Sequence, residues 1–146
     1  MGAAGAEPLT EGRLIEKRVL DMHDYVTEPM AFGRLYLAGD AAHLVAPIAA
    51  KGHNLALHDA FALGDALADR LLKGDATGLD GYSASCLRRV WDYQEFSQWL
   101  SELYHGSAAG DPFRAGTVLA RLRRMFSSPA AAAAFAERYL GTAERY

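Results

Sequence analysis

The chain has 146 residues, 51% of them hydrophobic and 23% charged, with a net charge of -3. That length and balance describe one globular domain able to bury a core, and they exclude a disordered chain. The small net acidity offers no general attraction to nucleic acid or acidic lipid, so neither is expected as a partner.

No apolar run approaches the roughly 20 residues that cross a bilayer. The opening "MGAAGAEPLTEG" lacks the basic start and apolar core of a secretory leader. Cys86 is the only cysteine, so no internal disulfide can form. A reducing, cytoplasmic location is therefore expected.

In chain order, residues 1–12 are small and turn-prone and read as a flexible tail, with a single domain over 13–146. "RLIEKRVL" and "MHDYVTEP" are β-prone pieces, Pro29 and Gly33 break the pattern, and "RLYLAG" (34–39) reads as a short buried strand. Residues 40–51 read as an irregular loop. Leu55, Leu63, Leu67 and Leu71 then recur at helical spacing from Gly52 to Lys73, and Gly74 stops the run.

A second helix is expected from about Asp80 to Tyr104, with Tyr82, Cys86, Val90, Tyr93, Leu100 and Leu103 on one stripe. A third covers about Phe113 to Phe126. Ser128 and Pro129 mark the start of a fourth, which ends before Gly141. The class is α+β, mostly α: short strands over about 13–38, then four helices. So few strands need sheet partners or helix cover, so the pattern reads as the end of a larger fold.

The chemistry concentrates in "GRLYLAGDAAHLVAPIAAKGHN" (33–54). Gly39 permits a sharp turn and close approach of a ligand to the backbone. Asp40 then stands at the carboxyl end of a strand, where α/β proteins bind cofactors and a carboxylate can accept from sugar hydroxyls. Gly52, His53 and Asn54 open a helix whose first N–H groups have no helical acceptors and can donate to an anionic or carbonyl oxygen. The plainer reading is that Asp40 caps a helix and Gly39 only turns; both stay open on the spacing alone.

These residues resemble the second FAD fingerprint of the class A flavoprotein aromatic hydroxylases, in the branch acting on 4-hydroxybenzoate. The likeness extends through "EPMAFGRLYLAGDAAH", "YSASCLRRVWDYQEFSQWLSELYH" and "AERYLG", roughly residues 15–141. The resemblance implies that Asp40 hydrogen-bonds the ribityl chain of FAD. It puts Pro47 beside an aromatic substrate, and Lys51 near the isoalloxazine, where a positive charge favours the reduced, anionic flavin. It also implies that the backbone N–H groups of His53 and Asn54 face the flavin pyrimidine. Tyr139 would join a hydrogen-bond chain to the substrate phenol.

The implied reaction is reduction of FAD by NADPH, capture of O2, and hydroxylation of the ring beside the phenol. The implied assembly is a homodimer, with Arg88, Arg89 and the tryptophans at the contact. Ile48 and Ala49 depart from the branch, which has a hydroxyl residue and a glycine there. Ala46 replaces a proline, and His53 an apolar residue.

No G-x-G-x-x-G follows a strand anywhere in the sequence. The resembled fold's adenosine and pyrophosphate site is thus absent, and the chain alone is expected to bind FAD weakly or not at all. Three function classes follow: part of a truncated hydroxylase, inactive alone; one subunit of a split flavoenzyme with a complementing chain; or a cofactor-independent small-molecule binding protein or cyclase.

His43, His53 and His58 lack ligand spacing, so no metal site is expected. Ser83, Ser85 and Ser97 read as helix-surface residues, with no nucleophile elbow. Trp91, Phe96, Trp99 and Tyr104 read as core or subunit interface. Arg121, Arg123 and Arg124 read as a solvated face. Leu55, Phe61, Leu63 and Leu67 are expected to leave an apolar face uncovered.

Overall fold

A computed structural model describes residues 12–19, 23–105 and 110–141. Strand β1 (Tyr25–Val26) pairs antiparallel with β4 (His43–Leu44), setting Tyr25 opposite Leu44 and Val26 opposite His43. Between them, β2 (Ala31–Phe32) and β3 (Leu35–Tyr36) form a hairpin. Gly33, at φ 61°, supplies the positive φ that a two-residue hairpin loop requires.

Helix α1 (Gly52–Lys73) stops at Gly74, whose φ of 76° is left-handed. Helix α2 (Thr77–His105) follows, with the Asp75 carboxylate accepting from the Thr77 N–H at 2.9 Å. Asp111 caps α3 (Pro112–Ser127) through the N–H groups of Phe113 and Arg114. Ser128 caps α4 (Pro129–Leu140), accepting from the Ala131 N–H. Both helices carry proline in the first turn, where no helical bond is lost.

Two apolar clusters hold these elements. Met30, Ala42, Tyr82, Cys86 and Leu87 join the strands to α1 and α2. Ala49, Phe96 and Leu100 join the loop before α1 to α2, with Trp99 and Phe135 packed on them. At the α1–α2 crossing, a Cβ on Gly78 would come within 2.9 Å of the Ala66 methyl, so glycine sets how closely the helices approach.

The expected order of strands then helices is observed, with local corrections. Residues 12–19 form no strand and are exposed: β propensity without a pairing strand does not make a sheet. Strand β4 falls in the expected loop, because β1 supplies its partner. His23 lies just before β1, exposed. Most of the tail over 1–12 lies outside the described residues. On α1, Leu55 is buried and Leu63 half-buried, whereas Leu67 and Phe61 stay exposed. Among the described residues, no helix is long and apolar enough to cross a membrane.

Candidate functional site

The chain turns at Gly39–Ala41 in one turn of 3-10 helix, with Gly39 at φ 58°. A Cβ on Gly39 would stand 3.1 Å from the Ala56 methyl, so the glycine lets the turn lie directly on α1. The turn is anchored by Asp59 of α1. Its Oδ2 accepts from the Gly39 N–H at 2.9 Å and meets His43 Nε2 at 2.7 Å, with both side chains buried.

Burial is the strongest influence on the Asp59 carboxyl and pushes its pKa up. The bonds from His43 and the Gly39 N–H, with the attraction of His43, outweigh it and leave the carboxyl below its ordinary value. An ionised carboxylate only accepts, so His43 Nε2 carries the proton in this contact. Asp59 Oδ1 has no hydrogen-bond partner of good geometry among the described residues. The Cys86 thiol beside it is pushed up to about 12, by burial first and then by the Asp59 charge. The Tyr82 hydroxyl donates to the Leu37 carbonyl at 2.9 Å, and burial pushes this phenol up as well.

This anchoring positions Asp40. It is exposed, and its carboxylate is bonded by no described residue, while its carbonyl accepts from the Tyr25 hydroxyl. The loop that follows is tied down by α2. Gln94 Nε2 donates to the Leu44 carbonyl at 2.6 Å, and the Ser97 hydroxyl donates to the Ala46 carbonyl at 3.1 Å. The Asp24 carboxylate accepts from the Ala46 N–H and from Gln98 Nε2.

A second 3-10 turn, Pro47–Ala49, leaves Pro47 exposed and buries Ala49 against Phe96 and Leu100. Ala50 then takes a left-handed φ of 52°, a conformation costing an L-residue about 1–2 kcal/mol.

Helix α1 begins without a side-chain cap, and its first helical bond runs from the Leu55 N–H to the Lys51 carbonyl at 3.0 Å. The N–H groups of Gly52, His53 and Asn54 therefore have no helical acceptors, at the positive end of a 22-residue helix. Lys51 reaches back to α4. Its ammonium donates to the Tyr139 carbonyl and lies 5.5 Å from the Tyr139 ring centroid and 5.9 Å from that of Tyr93. Tyr139 stacks on Phe135 with centroids 5.7 Å apart, is half exposed, and has no described partner for its hydroxyl.

The structure thus joins Lys51 to Tyr139 across 88 positions, and sets Pro47, Lys51, Gly52, His53 and Asn54 along one loop–helix junction. Gly39 and Asp40 form a separate turn against the same helix. Asp59 is not among the site residues expected from the sequence. Its signal is its place in the i+4 row Leu55, Asp59, Leu63, Leu67: a charge in an apolar row needs a partner. Ser97 corrects the surface reading, being fully buried, and Ser83 accepts from the Met30 N–H at 2.9 Å. Trp91 and Tyr104 are exposed, while Phe96 and Trp99 stack in the second cluster.

A family model described as "FAD binding domain" matches residues 2–97, and the chain belongs to that family. Within it, the chain is a part-length match to the flavin-dependent aromatic hydroxylases. The p-hydroxybenzoate hydroxylase of Acinetobacter baylyi is 42% identical over 135 residues, covering 92% of this chain and 33% of the relative. A 3-(3-hydroxy-phenyl)propionate/3-hydroxycinnamic acid hydroxylase of Mycolicibacterium smegmatis is 42% identical over 73 residues, 49% of this chain and 13% of that protein. The dual trans-enoyl reductase/FAD-dependent monooxygenase tazHJ of Aspergillus terreus is 30% identical over 106 residues, 62% of this chain and 15% of its own length. The chain therefore spans a third or less of these relatives.

Proposed function

We propose that these residues form the ring-side half of the FAD site in an aromatic monooxygenase of the 4-hydroxybenzoate type. The observation that carries this reading is the uncapped start of α1: three backbone donors without helical acceptors, with Lys51 immediately before them. The exposed Asp40 carboxylate, held on a turn that Asp59 fixes, supplies a hydrogen-bond acceptor. This set suits a group carrying both hydroxyls and carbonyl or anionic oxygens, as FAD does.

In that role Asp40 accepts from the ribityl hydroxyls. The N–H groups of Gly52, His53 and Asn54 donate to the pyrimidine edge of the ring. Bound FAD supplies the redox chemistry, with NADPH as reductant and O2 as oxidant. Lys51 adds positive charge beside the ring, favouring its anionic state. Pro47 borders the aromatic substrate, and Tyr139 positions the proton of the substrate phenol. Gly39 keeps the turn close to α1.

The adenosine half of the site requires a strand–GxGxxG–helix segment, which these 146 residues do not contain. It comes from the same polypeptide in a longer form or from a complementing chain, and a homodimer contact through α2 is compatible with either.

Absorbance and oxygen uptake test this reading. The purified chain should retain no stoichiometric flavin by itself. Supplied with the glycine-rich segment of a hydroxylase of this family, it should bind FAD and consume NADPH and O2 in a 4-hydroxybenzoate-dependent way. Asp40→Ala should abolish that gain. A reconstituted complex that holds FAD yet turns over no phenolic acid would sink the reading. A colourless, folded chain that binds a small aromatic would favour a cofactor-independent binding protein or cyclase.

A further inference from the structure

Helices α2, α3 and α4 line an open cavity of about 390 Å³, within the range of roughly 300–1,000 Å³ typical of small-molecule pockets. None of the residues assigned above to the flavin or its substrate lines it. Its floor is aromatic. Phe96 and Trp99 stack at 6.0 Å with their planes 17° apart, and Phe135 stands 5.5 Å from Trp99. Alanines of α4 keep the space open, and Arg121, Arg124 and Arg138 form its cationic wall.

Two of those guanidinium groups are already paired at the surface. Arg121 meets Glu102 at 2.6 Å and Arg138 meets Glu95 at 2.5 Å. Both pairs are about half exposed, so each stabilises little and either arginine can be recruited. Arg124 pairs with no described carboxylate. Three guanidinium groups less two paired carboxylates leave one uncompensated positive charge beside an aromatic floor in which Phe135 is tilted 51° to Trp99.

We propose that this cavity is a second binding site, separate from the flavin, for a small aromatic carboxylate. Its ring lies against Trp99 and Phe135, and its carboxylate takes Arg124 in a charge-assisted, two-pronged contact. A single negative charge matches the single unpaired cation, and the volume suits one ring better than a nucleotide. Of the three clustered arginines of α3, Arg121 and Arg124 line the cavity and Arg124 takes the carboxylate, whereas Arg123 lies outside it.

The test uses the full chain carrying Trp91→Phe, which leaves Trp99 as its only tryptophan. Benzoate should change Trp99 fluorescence saturably. Arg124→Gln should weaken that binding about tenfold or more, the loss of one charge-assisted contact. Arg123→Gln should leave it within about twofold.

The proposal is overturned if benzoate produces no saturable change. It is also overturned if Arg123→Gln weakens binding as much as Arg124→Gln, which would mark a diffuse charge effect. Loss in Lys51→Met with retention in Arg124→Gln would move the ligand to the flavin side and equally overturn it. Circular dichroism of each variant separates lost binding from lost helix.

Discussion

Around Asp59, each contact runs inward: a buried carboxylate, a buried histidine, a backbone N–H from the glycine turn, and the Cys86 thiol beside them. Around α3 and α4 the opposite holds. Val118 is the one buried residue of α3, α4 has none, and the arginines reach α2 through exposed ion pairs. The two regions carry different parts of the proposed site. The rigid one fixes Asp40 and the α1 start, which must meet a cofactor of invariant shape. The looser one carries Tyr139, which must meet a substrate that comes and goes. Local opening should therefore be easier at α4 than at the turn.

The sharpest way to break this contrast is Asp59→Ala. It leaves His43 and the Gly39 N–H buried without their acceptor, and should cost about 3–5 kcal/mol in urea denaturation. A loss under about 1 kcal/mol would show that the turn is held by something else.

Next comes alkali. Cys86 is raised from its ordinary 9.0 to about 12, and Tyr82 is raised too. A raised acid binds its proton more tightly when folded. Its stabilisation is therefore whole below pH 9 and is lost as pH climbs through about 12. Denaturation midpoints should fall over that window, and less steeply in Cys86→Ser. Asp59 works in the other direction, its contribution fading only as acid takes the pH below the ordinary 3.8.

Gly39→Ala should cost about 1–2 kcal/mol from its left-handed φ, plus strain against Ala56. Melting temperature measures it, and FAD affinity in the reconstituted complex should fall alongside. Smallest of all, Glu102→Gln should change stability by no more than about 1 kcal/mol, since its pair with Arg121 is exposed. An effect as large as that of Asp59→Ala would erase the contrast between the two regions.

The helices were readable because their signals are local. Gly74 and Gly141 take the left-handed stops expected of them, and Ser128 with Pro129 starts α4 as a hydroxyl cap and first-turn proline should. The stripe on α2 was readable from period, with Tyr82, Cys86, Val90 and Leu100 all buried. The strands were readable only in part. "MHDYVTEP" holds β1 and "RLYLAG" holds β3, but β3 is only Leu35–Tyr36, with Leu35 exposed, rather than a buried strand over 34–39. Strand β4 depends on pairing Val26 with His43, 17 residues away, rather than on propensity.

Within the site, the glycine–aspartate turn and the α1 start were visible as a motif. The side chains that hold them were not. Gln94 and Ser97 look like ordinary polar positions on a long helix until the loop carbonyls of Leu44 and Ala46 are laid over them. Arg124 reads as solvated charge and is exposed, but that it lines a cavity with Phe135 depends on where α4 packs.

Ser128 closes α3 and opens α4 by itself, at φ -118° and ψ 112°. Two helices that share one non-helical residue have a single pair of torsions between them, so that residue acts as a pivot and α4 as its lever. At 1.5 Å per residue, Tyr139 rides roughly 16 Å out along that arm. A swing of about 10° at the pivot carries its ring roughly 3 Å, about the length of a hydrogen bond. In the proposed site, a change of about 10° beside the arginine cavity would thus span a hydrogen bond's length at Tyr139.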